Sequence, residues 1–157
     1  MDAIDRSILL RVQHDSSDGL NALAEAVGLS PSACHRRLKA LEQAGVIAGY
    51  SARLDRAALG LKIELFVSVS LISQSNEALE AFEKAVQGVP EILACHLLAG
   101  RADYLMHLAV ADMADFERIH RNRLSRLPGV STMTTSFSLR TVKEFRGYPV
   151  AGVRGAL

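Results

Sequence analysis

A tight turn between two short helical stretches is the feature that most constrains the fold of this 157-residue chain. Gly28 can adopt the left-handed conformation that ends a helix. Ser30 can cap the free amides of a new helix, and Pro31 suits its first position because no helical partner exists for an N–H there. The spacing predicts a third helix from about Pro31 to Ala44, and this sequence of helix, glycine turn and helix is typical of a helix-turn-helix.

The predicted third helix has an apolar face and a cationic face. At about 100° per residue, Cys34, Leu38 and Leu41 project on one side, which suits packing inside a small bundle. Cationic and hydroxyl side chains occupy the opposite side and the N-terminal end, which in a helix-turn-helix contact base edges and phosphates. The candidate DNA-binding residues are Ser30, Ser32, His35, Arg36, Arg37 and Lys39.

Arg36 and Lys39 lead that set, because their cationic groups suit phosphate oxygens and the paired acceptors of guanine. Arg37 lies at the edge of the apolar face and is placed to pair with an acidic residue instead. A charged helix face is often only a solvated surface, but the preceding turn favours DNA binding here. Cys34 on the inner face is expected to be an inert core thiol.

The charge balance excludes a nucleic-acid binder that depends on a strongly basic tail. The formal net charge is only +1, and residues 1–60 contain seven Lys or Arg and seven Asp or Glu. Because the N-terminal half has no net positive charge, one chain can make only a few phosphate contacts. A dimer or larger oligomer is therefore favoured, since it combines the contacts of several chains. Two separated cysteines, no secretion signal and no apolar run of about 18 residues predict a cytoplasmic protein that does not span a membrane.

Three further elements are expected before residue 60. Apolar residues at every fourth position predict a first helix capped by Asp2. Val46-Ile47 and Tyr50–Leu54, on either side of Gly49, are interpreted as the two short strands of a wing. The expected N-terminal domain is therefore a winged helix-turn-helix over residues 1–50, followed by a linker over 51–61.

Strands and helices alternate over the rest of the chain, and Val89-Pro90 and Leu127-Pro128 close two similar units 38 residues apart. The predicted elements are a strand from Ile63 to Leu71, a helix capped by Asn76, strands ending near Ala99 and Ala111, a helix opened by Asp112, and a last strand through about Val142.

The order βαββαβ predicts an α+β, ferredoxin-like domain over residues 62–146, with a C-terminal tail over 147–157. Both helices of such a domain cover one face of an antiparallel sheet. The other face is left open, so homodimerisation through the sheet is expected.

Several stretches resemble the leucine-responsive regulatory protein / asparagine regulator (Lrp/AsnC) family of transcriptional regulators. They cover almost the whole chain in the family's order, although Asp18-Gly19-Leu20 departs from the arginine usual before the second helix. The matching stretches are Ile4–Leu9, Leu23–Ser30, Arg36–Glu42, Gly45-Val46-Ile47 with Tyr50, Gly100–Tyr104, Leu127–Val130 and Val142-Lys143.

The resemblance implies a sequence-specific regulator of double-stranded DNA, with dimers that assemble into octamers or hexadecamers and bind an amino-acid effector between them. Asp103 offers an anion for an ammonium group, and the glycine-containing turn offers free N–H groups for a carboxylate; by itself, such an Asp is often there for turn chemistry. The candidate effector-binding residues are Gly100, Arg101, Ala102, Asp103, Tyr104, Met113, Thr134 and Ser136.

Two alternatives to an effector-responsive regulator stay open. If Arg101-Ala102 are the central residues of a two-residue turn, His96 and His107 face each other on the open side of the sheet. Such a pair suggests a decarboxylase acting on a sirohaem-type tetrapyrrole, since such enzymes resemble this family. The second alternative is an architectural DNA-binding protein without an effector. No catalytic motif, metal site or cofactor is predicted, so we expect a protein that is not an enzyme.

Overall fold

The computed structural model describes residues 1–150, and contacts divide the chain into two compact units. The first contains Met1–Arg53 together with the segment that begins at Val142, and the second contains Leu54–Thr141. The sequence-based boundary of the second domain at residue 146 stays a prediction. Residues 151–157 of the expected tail lie outside the described part of the chain.

The first unit is built on three helices, α1 (Ala3–His14), α2 (Leu20–Ala26) and α3 (Pro31–Gln43). Asp2 caps α1 in a reciprocal capping box with Asp5, in which each side chain accepts from the other's backbone amide. The three helices enclose one apolar core, as the spacing of the sequence predicted. Its buried members from the helices are Ile8, Leu9, Leu23, Ala24, Cys34 and Leu41.

The predicted wing strands are not formed, and this expectation was wrong. Within the described chain, no strand occurs before Ile63. The amides of Val46 and Ile47 donate to the carbonyl of Leu41 at 3.0 and 3.2 Å, so they close the end of α3. A strand needs a partner strand, and the first unit offers none.

The segment from Val142 to Val150 returns to the three-helix unit. The side-chain amide of Gln13 in α1 donates to the carbonyl of Tyr148 and accepts from its backbone N–H, both at 2.9 Å. Val150 is only 7% exposed and belongs to the helical core. Arg53 also pairs with Glu144 at 3.1 Å. These residues therefore complete the first unit.

The second unit is a four-stranded antiparallel sheet with two helices, which confirms the predicted α+β, ferredoxin-like domain. The strand order is β2-β3-β1-β4. The elements are β1 (Ile63–Leu71), α4 (Asn76–Gln87), β2 (Ile92–Leu97), β3 (Tyr104–Val110), α5 (Met113–Asn122), a short 3-10 helix (Leu124–Arg126) and β4 (Val130–Phe137).

Two boundaries differ from the expected ones. Ser75, not Asn76, caps α4, because its hydroxyl accepts from the amide of Ala78. β4 ends at Phe137 rather than near Val142, since its partner strand β1 begins at Ile63 and leaves later residues without a ladder.

Alternate residues of β1 and β3 point into one core. Leu65, Val67 and Val69 are fully buried, and the buried side chains of both helices belong to the same cluster. The outer face of the sheet carries the residues between them, such as Phe66 and Leu105, which are half-buried. Within residues 1–150, no helix is long and apolar enough to cross a membrane.

Candidate nucleic-acid interface and effector site

The N-terminal end of α3 is fixed by its cap. The hydroxyl of Ser30 accepts from the amide of Ala33 at 3.3 Å, and Pro31 occupies the first turn. Cys34 and Leu41 are buried on the inner side, where burial raises the pKa of the Cys34 thiol. The thiol is therefore held neutral in the core, as expected.

The opposite side of α3 is exposed. Ser32, His35 and Arg36 all lie on it, and the Ser32 hydroxyl is 3.2 Å from that of Ser30. Arg36 makes no ion pair with any residue in 1–150. Its guanidinium is thus the cation of α3 that is available to an external partner.

Arg37 does not belong with this exposed set. Its guanidinium donates to Asp2 and to Asp5, both at 2.7 Å, and so ties α3 to the first turn of α1. The pKa of Asp2 is lowered by the backbone amide of Asp5 and then by Arg37. The prediction that placed Arg37 among the DNA-binding residues is therefore corrected, because its charge is used within the unit.

The Arg37 pairs predict an acid-sensitive first unit. A carboxylate whose pKa is lowered in the folded state stabilises that state above its ordinary value, here 3.8, and the stabilisation is lost as pH falls through the folded pKa. We expect thermal melts to show Arg37→Gln less stable than the wild type at neutral pH, with the difference shrinking below about pH 4. Arg11→Gln, which removes an exposed cation that has no ion pair within residues 1–150, is the control. A difference that stays constant down to pH 2 would contradict this account.

Lys39 lies on the exposed side but is bound to an acid. Its ammonium is 2.6 Å from Oε2 of Glu42, and the hydroxyl of Tyr50 donates to Oε1 of Glu42 at 3.0 Å. These two hydrogen bonds, first that from Lys39 and then that from Tyr50, lower the pKa of Glu42. The three side chains form what we call the Lys39 cluster. Sequence reasoning missed Glu42, although its spacing of three from Lys39 on a helix is a signal for such a pair.

The predicted effector turn is a four-residue loop, Ala99–Ala102, between β2 and β3. The amide of Leu98 donates to the carbonyl of Asp103, and the amide of Asp103 donates to Val69. The four loop amides themselves donate to no acceptor within residues 1–150. They are available to an anionic group such as a carboxylate.

The carboxylate of Asp103 already has partners. It accepts from the amide of Leu71 at 2.7 Å and from the side chain of Gln74 at 2.6 Å. Each oxygen keeps a lone pair, so an ammonium group could still bind. Gln74 was not identified from the sequence, because its contact joins two loops that are distant along the chain.

Tyr104 belongs to the core rather than to an exposed site. Its side chain is 1% exposed, packs against Phe82, and donates its hydroxyl to Glu83 at 2.9 Å. Burial, and then this hydrogen bond, raise the pKa of Tyr104. The prediction of an effector contact by this side chain is corrected accordingly.

The remaining predicted effector residues lie on elements other than the Ala99–Ala102 loop. Met113 begins α5, after β3, so it lies one strand length from the Ala99–Ala102 loop, about 20 Å at 3.3 Å per residue. Thr134 and Ser136 pair with Ser68 and Phe66 on the outer face. Met113 instead lines a shallow groove of about 620 Å³ on the helical side, together with Phe116, His120 and Thr135.

The predicted opposition of His96 and His107 is wrong. In the observed register His96 pairs with Leu105 and His107 with Ala94, because the loop has four residues rather than two. His107 contacts Glu64 at 2.9 Å and stacks on Phe66 with ring centroids 4.9 Å apart. In the described chain, no three His, Cys, Asp or Glu side chains are grouped to hold a metal.

Comparison with known proteins gives matches over both units. The family model described as the AsnC-type helix-turn-helix domain matches residues 1–42, and that described as the Lrp/AsnC ligand binding domain matches residues 64–148. The DNA-binding transcriptional activator DecR of Escherichia coli K12 is 37% identical over 150 residues, 96% of this chain and 99% of DecR. The leucine-responsive regulatory protein of Haemophilus influenzae is 38% identical over 144 residues, 92% of this chain and 87% of that protein.

A solved structure is similar over nearly the full length. It is the transcriptional regulator of Neisseria meningitidis in its complex with L-Met, with a TM-score of 0.90 and 35% sequence identity. The similarity covers 96% of this chain and 97% of that chain. The chain therefore shares the fold of that regulator over nearly its whole length.

Proposed function

The chain belongs to the Lrp/AsnC family of transcriptional regulators, and we propose that it binds specific sites in double-stranded DNA in response to an amino acid. The observation that carries this function is the exposed side of α3. Ser32, His35 and Arg36 are free of the helical core, while Cys34 and Leu41 anchor the same helix in it. A recognition helix needs this division, because its inner side fixes the orientation that its outer side presents to the groove.

Arg36 is proposed as the principal DNA contact. Its guanidinium can donate two hydrogen bonds to a guanine or to a phosphate. Ser30, Ser32 and His35 lie nearer the N-terminal end of α3, which enters the groove first. Lys39 is retained as a phosphate contact whose charge is partly neutralised by Glu42.

The proposed effector is a free amino acid. A relative with 35% identity was solved with L-Met, and the Ala99–Ala102 loop combines unpaired amides with the Asp103 carboxylate. These groups suit the carboxylate and the ammonium of one small zwitterion. Met113, Thr134 and Ser136 lie on α5 and β4 rather than on this loop, and we propose that a second copy brings them to the site.

We propose that the chain assembles through the outer face of its sheet into dimers and then octamers. Both helices pack on the other face, and Phe66 and Leu105 on the outer face are not fully covered within one chain. Since its proposed target is chromosomal DNA, we place the protein in the cytoplasm.

We propose a regulator rather than a tetrapyrrole enzyme, because His107 is engaged with Glu64 and does not oppose His96.

A thermal-shift screen with the twenty amino acids tests the effector. We expect one or a few L-amino acids to raise the melting temperature, since ligand at 100 times its Kd adds about 2.7 kcal/mol of stability. Asp103→Asn keeps an acceptor for the Leu71 amide but removes the charge, so it should abolish the shift. Asp112→Asn, in the α5 cap, is the matched control.

The same samples test the assembly by static light scattering, with the expected mass being that of eight chains of 17.0 kDa. A complete absence of shifts with every amino acid, in a preparation that binds DNA, would favour the architectural alternative. A monomeric mass would remove the proposal that a second copy completes the effector site.

A further inference from the structure

We propose that Glu42 is a specificity-determining residue of the DNA-binding unit, because it restrains the Lys39 ammonium and thereby suppresses binding to non-specific DNA. The inference rests on the proposed DNA-binding function. It assigns a role to an acidic side chain on the recognition helix. A surface that served only to bind phosphates would have no acidic side chain there.

The geometry of the Lys39 cluster supports a fixed rather than a transient pair. Each carboxylate oxygen of Glu42 has its own partner, Oε2 the ammonium of Lys39 at 2.6 Å and Oε1 the hydroxyl of Tyr50 at 3.0 Å. The Glu42 side chain is 24% exposed, against 53% for Lys39. An isolated pair of this spacing on a helix surface is worth little. Here the second bond to Tyr50 holds the carboxylate in place whether or not Lys39 leaves it.

The charge balance of α3 makes this restraint matter. The helix has three cations, of which Arg37 is bound to Asp2 and Asp5, and Lys39 is bound to Glu42. Only Arg36 has no ion pair within residues 1–150. Affinity for DNA of any sequence depends on how many phosphates the protein neutralises. With Arg36 as the one cation of α3 outside an ion pair in the described chain, freeing Lys39 would double the number of free cations on this helix.

Acidic neighbours strengthen the same effect. The Lys39 cluster lines one groove together with Asp15, Asp18 and His35. A phosphate that approaches Lys39 therefore also approaches a carboxylate, and like charges in contact disfavour the encounter. Contacts of Arg36 with base edges depend on hydrogen-bond geometry and are affected less. Discrimination between specific and non-specific DNA rises as a result.

The test is Glu42→Gln, which removes the charge and keeps an oxygen that can accept from Tyr50. The measurement is the affinity for a non-specific duplex over a salt series. For each subunit that contacts DNA, we expect the slope of log K against log salt to steepen by about 0.9, with about a fivefold gain in affinity at 0.15 M salt. In the specific complex Lys39 already contacts a phosphate, so the gain there should be limited to the small cost of breaking one exposed ion pair. The ratio of specific to non-specific affinity should therefore fall, by less than the non-specific gain.

Two controls isolate the Lys39 cluster. Glu25→Gln makes the same change of net charge at an exposed side chain that has no ion pair in the described residues, and it should leave the slope unchanged. Adding Lys39→Gln to Glu42→Gln should return the slope to the wild-type value. If Glu42→Gln behaves like Glu25→Gln, or if its gain survives Lys39→Gln, the inference is wrong. Wild-type protein that binds no duplex at any salt concentration would overturn the proposed function together with this inference.

Discussion

Arg36→Ala is expected to weaken binding to specific DNA by about 1–3 kcal/mol for each subunit that contacts the site, roughly 5- to 150-fold. The physical reason is that Arg36 is exposed on α3 and makes no ion pair within the described chain. Its loss removes both a bidentate donor and a full positive charge. The measurement is a fluorescence anisotropy titration with the duplex that the wild-type protein selects from a random-sequence library.

Arg126→Ala provides the control for this prediction. Arg126 is exposed on the short 3-10 helix of the second unit and loses the same charge. The Arg126→Ala variant should bind the selected duplex with the affinity of the wild type and with the same slope of log K against log salt. An equal loss in both variants would mean that the effect is one of net charge and not of the recognition helix.

Val150→Asp is expected to destabilise the first unit by about 3 kcal/mol or more, because it places an unpaired charge in an apolar core. Val150 is 7% exposed and packs with the core of the three helices. Hydrogen exchange followed by mass spectrometry is the suitable measurement, since it resolves the two units. The amides of α1 and α3 should lose protection by on the order of 100-fold, whereas those of β1 and β3 keep it.

Tyr148→Asp is the matched control, because it places the same charge two residues earlier on a side chain that is 73% exposed. The Gln13 bonds use only the backbone of Tyr148, so this variant should retain protection in α1 and α3. If Val150→Asp leaves the helices protected, the C-terminal segment is not part of their core.

Local chemistry made most of the elements predictable. The Gly28 turn and the Ser30 cap set the start of α3, and alternation of apolar residues identified β1 and β3. Both signals act over a few residues, so a single sequence contains them. The prediction of wing strands was wrong because strand formation is not a local property. The residues suit a strand, but no partner strand is present in the described part of the unit.

Features that depend on distant contacts could not be predicted. The hairpin register follows from the length of the loop between β2 and β3. A two-residue turn at Arg101-Ala102 was expected, but the loop has four residues, Ala99–Ala102, so His96 does not pair with His107. The bonds between Gln13 and Tyr148 join residues 135 positions apart and have no local signal.

The candidate DNA-binding side chains show the same limit. The outward position of Arg36 followed from helical spacing alone. The ion pairs of Arg37 with Asp2 and Asp5 could not be predicted in the same way, because they depend on how α1 packs against α3 and helical spacing contains no information on that packing. Met113, Thr134 and Ser136 were assigned to the effector site by resemblance, and their positions relative to the Gly100–Asp103 turn required the strand order.

Affinity cleavage of DNA tests most directly whether the outer side of α3 lies in a DNA groove. An iron chelate would be attached through Ser32→Cys, with wild-type protein taken through the same labelling to account for Cys34 and Cys95. Cleavage should be confined to a few base pairs inside the footprint and, for a dimer, repeat about one helical turn away. A clear footprint without cleavage above the wild-type level would show that a different surface binds the duplex.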